Sequence, residues 1–524
     1  MPRAKPTRSA NPLPSPVPRP DVAAAVAVAA VGVARLTAGL GPDGLRLDRA
    51  AHLAVHGAAR EPDLPDLLAL AEAIDLRGRG GAGFPFLRKL RAVDAAAARR
   101  DLAPAVVVNA MEGEPACRKD ALLIERAPHL VLDGALLAAR ALEADDIAVG
   151  VATRTGELSL RRALAERRLP RRAVRIVRLP ERFVSGEGGA LIRGLSGRPA
   201  LPDGRRTRTS ERGLGGRPTL LSNTETCAQL AVAARLGPTG YAATGLPNEP
   251  GTTLLTVTAP TPGHRHPHQT VVEAPFGTPL SRVTATAGTP DLGQALLVGG
   301  YHGRFLDQRT AAAATVSRPG LDTLGATLGA GALIPLPRET CPLGETARIA
   351  HWLAAESAAQ CGPCYLGLPD IANALDDVLD GGSPTAQDRL RNGLAAVRRR
   401  GACSHPDGSS AFVRSALTVF TDDLAAHTLG GGCHRPVIGA LPLPTEAGSA
   451  AAATSAAAGE ERLVVDWTLC DGHGLCAGVV PELLRLGRDG YPTLSSAPVP
   501  AHLRARARTA VRRCPTLALR MERS

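Results

Sequence analysis

The sequence has 524 residues, 44% of them hydrophobic and 21% charged, so the chain is long enough for several domains with real cores and is not that of a disordered protein. Its net charge of +12 combines 58 arginines with three lysines. Aromatic residues make up only 2% and interleave with no basic run, which argues for a solvated basic surface rather than nucleic-acid binding.

Residues 1–45 are predicted to be a disordered, basic, proline-rich tail followed by an apolar lead-in. The lead-in has only about a dozen apolar residues before Arg35, too few to cross a bilayer. We therefore expect no transmembrane segment and a cytoplasmic protein. The ten cysteines suit metal ligation in a reducing compartment better than a disulfide framework.

Four further units follow along the chain. Residues 46–245 alternate strands such as "AVVVNA" with helices such as "PHLVLDGALLAARALEA", the pattern of an α/β domain. Short strands with Gly and Pro turns fill 246–335, and helical patterns return over 336–440. A small, polar linker over 441–461 then precedes a last unit at 462–524.

The stretch "RGRGGAGFP" at 77–85 contains G-x-G-x-x-G at Gly78, Gly80 and Gly83. A dinucleotide fingerprint of this kind follows a strand, whereas "PDLPDLLALAEAID" places its leucines at helical spacing. The loop therefore does not introduce a Rossmann helix. Its backbone N–H groups and arginines can still bind a phosphate.

Four motifs, "RGRGGAGFPFLRKL", "VVVNAMEGEPACRKD", "FVSGEGGALIRGLSGRP" and "GRPTLLSNTET", occur in the order found in the flavin-bearing, NADH-oxidising subunit of respiratory complex I and its hydrogenase relatives. The chain resembles that family over about residues 60–435. The resemblance implies a multidomain α/β protein with an FMN-binding α/β domain, a β-grasp module and a helical-bundle iron-sulfur domain. It also implies catalytic roles for Glu112 and Glu187 and FMN contacts for Gly78, Arg79, Gly80, Gly81, Gly83, Phe84, Lys89, Asn109, Glu112, Gly186, Glu187, Asn223 and Thr226.

The chain departs from the family pattern close to the expected flavin. Met111 replaces an acid in "NAMEGEP", Gly188 replaces the second glutamate of G-E-E, and Ser222 replaces one asparagine. An aromatic stretch is also replaced by "DGRRTRTSER". A nicotinamide would use the lost carboxylate and aromatic groups, so we expect FMN, with NADH use left open and another reductase as the alternative donor.

The helical unit carries "ESAAQCGPCYLG" and, 39 residues after Cys364, Cys403. The resemblance implies a [4Fe-4S] or [3Fe-4S] cluster on Cys361, Cys364 and Cys403, with Ala358 where the family has a fourth cysteine. Cys433 is one candidate substitute. Cys361 and Cys364 could alternatively form a thioredoxin-like pair, although the βαβ setting is absent. The remaining thiols, Cys117, Cys227 and Cys341, are predicted to be core or loop residues.

The last unit, with Cys470, Cys476 and Cys514-Pro515, resembles single-cluster bacterial ferredoxins, especially three-iron ferredoxins that serve cytochromes P450. The resemblance implies an α+β ferredoxin domain with a [3Fe-4S] or [4Fe-4S] cluster and names a cytochrome P450 as a candidate acceptor. His473 stands where four-iron relatives have a cysteine, and it is either a loop residue over the cluster or a ligand.

The sequence therefore predicts an FMN and iron-sulfur oxidoreductase whose electrons end at a fused ferredoxin. The alternative is a non-catalytic scaffold or relay in which only the ferredoxin unit carries electrons. The electron donor, the acceptor, the direction of flow, the fourth ligand of the helical cluster, the role of His473 and the oligomeric state stay open.

Overall fold

The structure, a computed structural model, describes residues 26–58, 60–167, 174–204, 207–259, 268–381, 384–429, 431–444, 461–487, 489–494, 499–500 and 503–523. The predicted disordered residues 1–20 and most of the predicted linker lie outside these ranges. Within them, no helix is both long and apolar enough to cross a membrane. The described chain has a multidomain α/β fold.

The first sheet has four parallel strands in the order β4-β3-β2-β5. The strands are β2 (Ala105–Ala110), β3 (Asp146–Val151), β4 (Arg175–Arg178) and β5 (Thr219–Asn223). The helices of this unit are α1 (Arg49–His56), α2 (Leu64–Ala73), α3 (Phe86–Arg100), α4 (Lys119–Arg126), α5 (Pro128–Ala141), α6 (Arg154–Glu166), α7 (Gly188–Leu195) and α8 (Thr224–Ala242). Strand order reverses between β2 and β5, and ligands of open α/β sheets bind at such a switch point.

Helices α5 and α8 pack closely in the core of this unit. A Cβ atom added at Gly134 of α5 would lie 1.9 Å from the carbonyl oxygen of Cys227 in α8. Glycine is therefore required at position 134, because any side chain would push the two helices apart.

The second sheet has six strands in the order β1-β9-β8-β12-β10-β11. Its strands are β1 (Ala27–Ala30), β8 (Thr252–Ala259), β9 (His268–Pro275), β10 (Ala295–Val298), β11 (Arg304–Asp307) and β12 (Ala332–Leu336). The strands β6 (Gly245–Leu246) and β7 (Glu249–Pro250) form a separate two-stranded pair, and the helices are α9 (Leu280–Thr286), α10 (Gln308–Ala313) and α11 (Arg318–Thr323).

Strand β1 corrects the prediction that residues up to 45 are only a tail and lead-in. It lies parallel to β9, with Ala27 opposite Thr270. The Glu273 carboxylate then accepts the backbone N–H groups of Arg35, Leu36 and Thr37. The apolar run therefore forms an edge strand of the second sheet, a role hidden by its shortness and by the absence of polar alternation.

Two further units complete the described chain. The helical unit contains α12 (Pro342–Ala355), a π-helical turn (Pro363–Gly367), α13 (Leu368–Leu379), α14 (Pro384–Ala396), α15 (His405–Val419) and α16 (Thr421–Leu429). The last unit pairs β13 (Glu461–Val465) with β16 (Leu519–Arg523) and β14 (Leu484–Leu486) with β15 (Pro492–Leu494), beside α17 (Leu475–Val479) and α18 (Arg504–Arg513). Residues 336–440 are thus mainly helical, as their sequence pattern indicates.

Candidate functional site

The Gly-rich loop connects two helices, α2 and α3, of which the sequence predicts the first. Its ends are joined by a bridge between Arg77 and Pro85 and by a 2.9 Å hydrogen bond from Gly78 N to Phe84 O. Gly83 has a φ of +58° and Gly81 one of +104°, conformations that favour glycine. The loop is thus a tight turn that presents backbone close to a neighbouring cleft.

The cleft encloses about 300 Å³ of space, including solvent at its open side. Three glycines of the loop, Gly78, Gly81 and Gly83, line one side, and Gly329 and Gly331 line another. The charged side chains that line it are Arg79, Lys119, Glu225 and Arg318. Backbone and positive charge thus surround a space that suits a phosphate-bearing ligand.

Arg79 forms the buried floor of the cleft. Its backbone N–H donates to Thr226 Oγ1 at 2.9 Å, and its Nη2 donates to Thr252 O at 3.3 Å. The buried Nε and Nη1 groups make no hydrogen bond within the described structure, and such donors ordinarily have a partner. The Nε group is 3.9 Å from Glu225 Oε1 in an ion pair, and the donor capacity that this pair leaves unused is the observation that fits an anionic or carbonyl group of FMN.

Arg79 and Arg318 both stack on Phe276, each guanidinium carbon lying 4.7 Å from the ring centroid. Burial, aided by the nearby Arg79, lowers the pKa of Arg318 to about 10. Arg318 also ion-pairs with Glu249, with 3.3 Å between Nη1 and Oε1. The aromatic ring thus fixes the two cations at one end of the cleft.

Lys119 lies between two carboxylates. Its Nζ is 3.0 Å from Asp120 Oδ1 and 3.0 Å from Glu225 Oε2, and all three side chains are buried. Burial opposes ionisation of Glu225, but Lys119 and Arg79 together outweigh it and hold the pKa of that carboxyl below its usual range. Burial alone would lower the pKa of Lys119, yet Asp120 and Glu225 raise it, so the ammonium stays charged.

The two predicted catalytic carboxylates cap helices. Glu112 accepts the backbone N–H groups of Asp120 and Ala121 at 3.0 and 2.9 Å, at the start of α4. Glu187 accepts the N–H of Ala190 at 2.9 Å, at the start of α7. Burial and the nearby Asp120 raise the pKa of Glu112. Neither residue lines the cleft, so their catalytic roles remain predictions.

The other predicted flavin residues lie where β2 and β5 end. Asn109 donates to Gly186 O at 2.9 Å, and Asn223 donates to Asp120 Oδ2 at 2.6 Å. A Cβ at Gly80 would come within 3.3 Å of Asn223. The motifs that the sequence separates by more than 100 residues therefore meet at the switch point of the first sheet.

Two predicted flavin residues, Lys89 and Phe84, contact other parts of the protein. Lys89 donates to Leu221 O in β5 at 2.9 Å, and burial lowers its pKa. The Phe84 ring lies under Arg88, whose guanidinium carbon is 5.3 Å from the ring centroid. Met111, one of the departures from the family pattern, is buried among apolar residues of the first sheet, so an acid at position 111 would be desolvated.

The cysteines of the helical unit converge around the π-helical turn. A hydrogen bond with Cys364 lowers the pKa of Cys361 against the effect of burial, while burial raises the pKa of Cys403 to about 12. Ala359, between Ala358 and this turn, has a φ of +52°. A non-glycine residue held in that conformation marks a strained functional loop, so the donor set fits a thiolate-bound cluster.

The segment 182–187 connects the flavin motifs to the cysteine loop. Phe183 N donates to Glu356 Oε2 at 2.8 Å, and Arg182 Nη2 donates to Ser357 O at 3.0 Å. The Phe183 ring packs edge-on against His302, with 4.7 Å between centroids. Burial lowers the pKa of His302 to about 3, so the histidine that packs against Phe183 is uncharged.

The last unit has its own cavity, of about 280 Å³. Its lining includes the predicted ligands Cys470, Cys476 and Cys514 and also His473. Ala518 N donates to Cys514 Sγ at 3.2 Å, the kind of contact that stabilises a thiolate ligand. Three thiols around one cavity fit an iron-sulfur cluster, with His473 placed to face it.

In the described ranges, one group of three His, Cys, Asp or Glu residues has all its ligand atoms within 4.8 Å of one another: Cys341, His427 and Cys433. Neither predicted cluster triad forms such a group among the described residues. Cys433 lies beside Cys341 and His427, and its role as a substitute fourth ligand of the helical cluster stays a prediction.

Sequence reasoning missed Phe276 and Arg318, which come from the second sheet and give no local signal. It noted Lys119 as one of three lysines without assigning it to the site, and Glu225 lay unremarked within the "SNTET" motif.

Three sequence families match the chain in order. They are the Nuo51 FMN-binding domain at residues 71–232, the NADH-ubiquinone oxidoreductase-F iron-sulfur binding region at 345–427 and the 4Fe-4S single cluster domain at 463–521. The first two cover the cleft motifs and Cys361, Cys364 and Cys403, and the third covers the cavity of the last unit.

Relatives and solved structures agree with these matches. The F subunit of NADH-quinone oxidoreductase from Streptomyces coelicolor is 27% identical over 395 residues, covering 72% of this chain and 85% of that protein. Its counterpart from Mycobacterium bovis is 29% identical over 393 residues, covering 70% and 86%. A chain of the air-oxidised NAD+-reducing [NiFe]-hydrogenase superposes with a TM-score of 0.61 at 26% identity. The match covers 74% of this chain and 66% of the hydrogenase chain.

The chain therefore carries, in order, a match to the Nuo51 FMN-binding domain, one to the NADH-ubiquinone oxidoreductase-F iron-sulfur binding region and one to the 4Fe-4S single cluster domain, and over the first two it is similar to F subunits of NADH-quinone oxidoreductase.

Proposed function

We propose that the protein is an FMN and iron-sulfur oxidoreductase that takes electrons from an NADH-type donor and delivers them to its own ferredoxin domain. The cleft between the two sheets would hold FMN, which supplies the exchange between two-electron and one-electron transfer. Arg79, Lys119 and Arg318 would bind its anionic groups, and the Gly-rich loop would admit it closely. The predicted FMN contacts and the roles of Glu112 and Glu187 belong to this proposal.

The contact between the ferredoxin domain and the cysteine loop carries the proposal. Met521 N in β16 donates to Gln360 O at 2.9 Å, directly beside Cys361. Arg520 lies close enough to help lower the pKa of Cys361, and Arg508 stacks over Tyr365 at 4.7 Å. The ferredoxin domain is thus held against the loop that would bind the preceding cluster, at high local concentration.

The finer architecture is part of the same proposal. We assign 46–245 to FMN binding, 246–335 with β1 to the β-grasp module, 336–440 to the helical iron-sulfur domain and 462–524 to the α+β ferredoxin domain. The chain would work in the cytoplasm. The relatives are named as part of an oxidoreductase and as a hydrogenase, neither name includes a cytochrome P450, and that acceptor stays a prediction.

Anaerobic reduction of the purified full chain tests the proposal. NADH, NADPH and reduced ferredoxin are added separately, flavin bleaching is followed optically, and cluster reduction is followed by electron paramagnetic resonance. We expect about one FMN per chain and reduction of both clusters after the flavin. Protein without FMN, whose clusters accept electrons only from added ferredoxin, would favour the relay alternative instead.

The interdomain step has its own pair of variants. Arg520→Met should leave flavin reduction unchanged and slow electron arrival at the ferredoxin cluster, because it removes a cation beside Cys361. Arg485→Met alters an exposed arginine of β14 in the same domain and serves as the control. Equal rates in both variants would show that the contact does not guide electron transfer.

A further inference from the structure

A second cysteine cluster lies at another place in the helical unit. Cys341 immediately precedes α12, His427 is in the last turn of α16, and Cys433 follows that helix. Their ligand atoms all lie within 4.8 Å of one another, and Cys341 Sγ is 3.4 Å from His427 Nε2. Residues 86 positions apart in sequence are thus brought together by the tertiary fold.

The histidine is oriented by its other ring nitrogen. His427 Nδ1 is 3.1 Å from Leu379 O, and since a carbonyl only accepts, Nδ1 must carry the proton. In the neutral ring the lone pair is then on Nε2, which faces the sulfur atoms. Metal-binding histidines are usually fixed in this way by a backbone carbonyl.

The sulfur atoms also have suitable surroundings. Gly344 N donates to Cys341 Sγ at 3.3 Å, a contact that favours a thiolate at the start of a helix. Arg435 follows Cys433 closely and is itself paired with Asp423. Cys341 and His427 are buried, and Cys433 is half-buried, so the group is shielded but reachable by water.

We propose that Cys341, His427 and Cys433 bind a single zinc ion, with water in the fourth position. Two thiolates and one imidazole are donors that zinc prefers in tetrahedral sites. Two thiolates also balance the double charge of the ion, which suits a mostly buried site. Binding displaces the two thiol protons to solvent and involves no change of oxidation state.

The ion would fix the segment that leads from α16 towards the ferredoxin domain. That segment already lies along α12, where Pro436 O accepts from Cys341 N at 2.8 Å and Glu345 Oε1 accepts from Gly439 N at 2.7 Å. A zinc ion on Cys433 would add a strong link between this segment and the start of α12. The site therefore has a structural role, separate from the proposed electron path.

Element-specific measurements on the purified full chain test the site. Zinc and iron are counted separately, and X-ray absorption at the zinc edge gives the ligands without interference from iron. We expect about one zinc per chain, with two sulfur ligands at about 2.3 Å and nitrogen or oxygen ligands at about 2.0–2.1 Å. Cys433→Ser should lose at least nine tenths of the zinc while retaining its iron and flavin.

His434→Asn is the matched control. It changes the residue after Cys433, which has a φ of +55° that asparagine tolerates, and it should keep its zinc.

Full zinc occupancy in Cys433→Ser would overturn the proposal. A spectrum with three or four sulfur ligands would overturn it too, because the ion would then occupy an iron-sulfur site. A chain that takes up no zinc, or one with Cys341 and Cys433 joined in a disulfide, would also refute it. If Cys433→Ser does not fold, the sulfur count in the parent decides.

Discussion

Replacing Lys119 by methionine removes the one cation that bridges two buried carboxylates. The Lys119 Nζ is 3.0 Å from both Asp120 and Glu225, whose side chains are 8% and 0% exposed. Removing one partner of a buried ion pair costs about 3–5 kcal/mol. Since about 1.4 kcal/mol is a factor of ten, local opening should increase roughly a hundredfold to a few thousandfold.

Hydrogen exchange of peptides from α8 and β8, followed by mass spectrometry on the full chain, measures this opening locally. The exposed neighbour Arg118→Met is the control and should change exchange by less than tenfold. Lys119→Met combined with Glu225→Gln should recover part of the loss, because the uncompensated charge is then removed.

The loss of stability in Lys119→Met should depend on pH, and the Glu225 carboxyl sets the direction of that dependence. In the parent, Glu225 has a lowered pKa, so its contribution to stability is present above the unfolded pKa and is lost as the pH falls through the folded pKa. Without Lys119, burial of Glu225 is opposed only by Arg79 and local hydrogen bonds, so the pKa of this carboxyl rises relative to the parent. The stability deficit of the variant should therefore be largest where the Glu225 carboxyl is ionised and should shrink as the pH falls and the folded variant takes up a proton there. An opening increase below tenfold, or a deficit that grows as the pH falls, would refute this reasoning.

Three further outcomes follow from the structure. Gly134→Ala should lower the free energy of unfolding by about 1–3 kcal/mol in thermal unfolding, because its Cβ would meet Cys227 O. Gly188→Ala is the control and should change stability little, because only the Leu221 side chain lies near its Cβ, at 3.1 Å. Equal effects of the two variants would contradict the packing. His473→Cys should convert the three-iron electron paramagnetic resonance signal of the oxidised protein into a four-iron signal that is seen on reduction. If His473 already binds iron, the parent protein lacks the three-iron signal. Lys89→Ala should lower FMN content in purified protein by loosening the end of β5, and unchanged content would exclude that role.

The sequence predicts the helix and loop that surround the site better than it predicts which side chains line the cleft. The helix before the Gly-rich loop follows from leucine spacing, and the structure confirms that no strand precedes the loop. Glu187 directly precedes α7 and caps it, whereas Glu112 lies seven residues before α4 and reaches its first turn only through the fold; the family resemblance led to the interpretation of both as catalytic. The positions of Glu112 and Glu187 in the sequence do not indicate whether their side chains contact the cleft.

The rest depends on tertiary contacts that no local pattern encodes. Arg318 lines the cleft and Phe276 stacks on Arg79 and Arg318 only because the second sheet packs against the first. Cys341 was interpreted as a core or loop thiol and Cys433 as a candidate fourth ligand of the helical cluster, since nothing in the intervening residues indicates that α12 and α16 bring them together. The short strand β1 was missed because its four residues are all Ala or Val and show no polar alternation.

The scarcity of lysine makes the cleft accessible to a simple biochemical probe. A lysine-specific protease has only three target residues in the chain; Lys5 lies outside the described residues, and Lys119 is 2% exposed. Cleavage after Lys119 therefore requires that the two sheets separate around the cleft, and it reports the population of that open form when reclosing is fast. A ligand that fills the cleft should protect this bond in proportion to its occupancy, so limited digestion can rank candidate nucleotides without relying on colour or turnover.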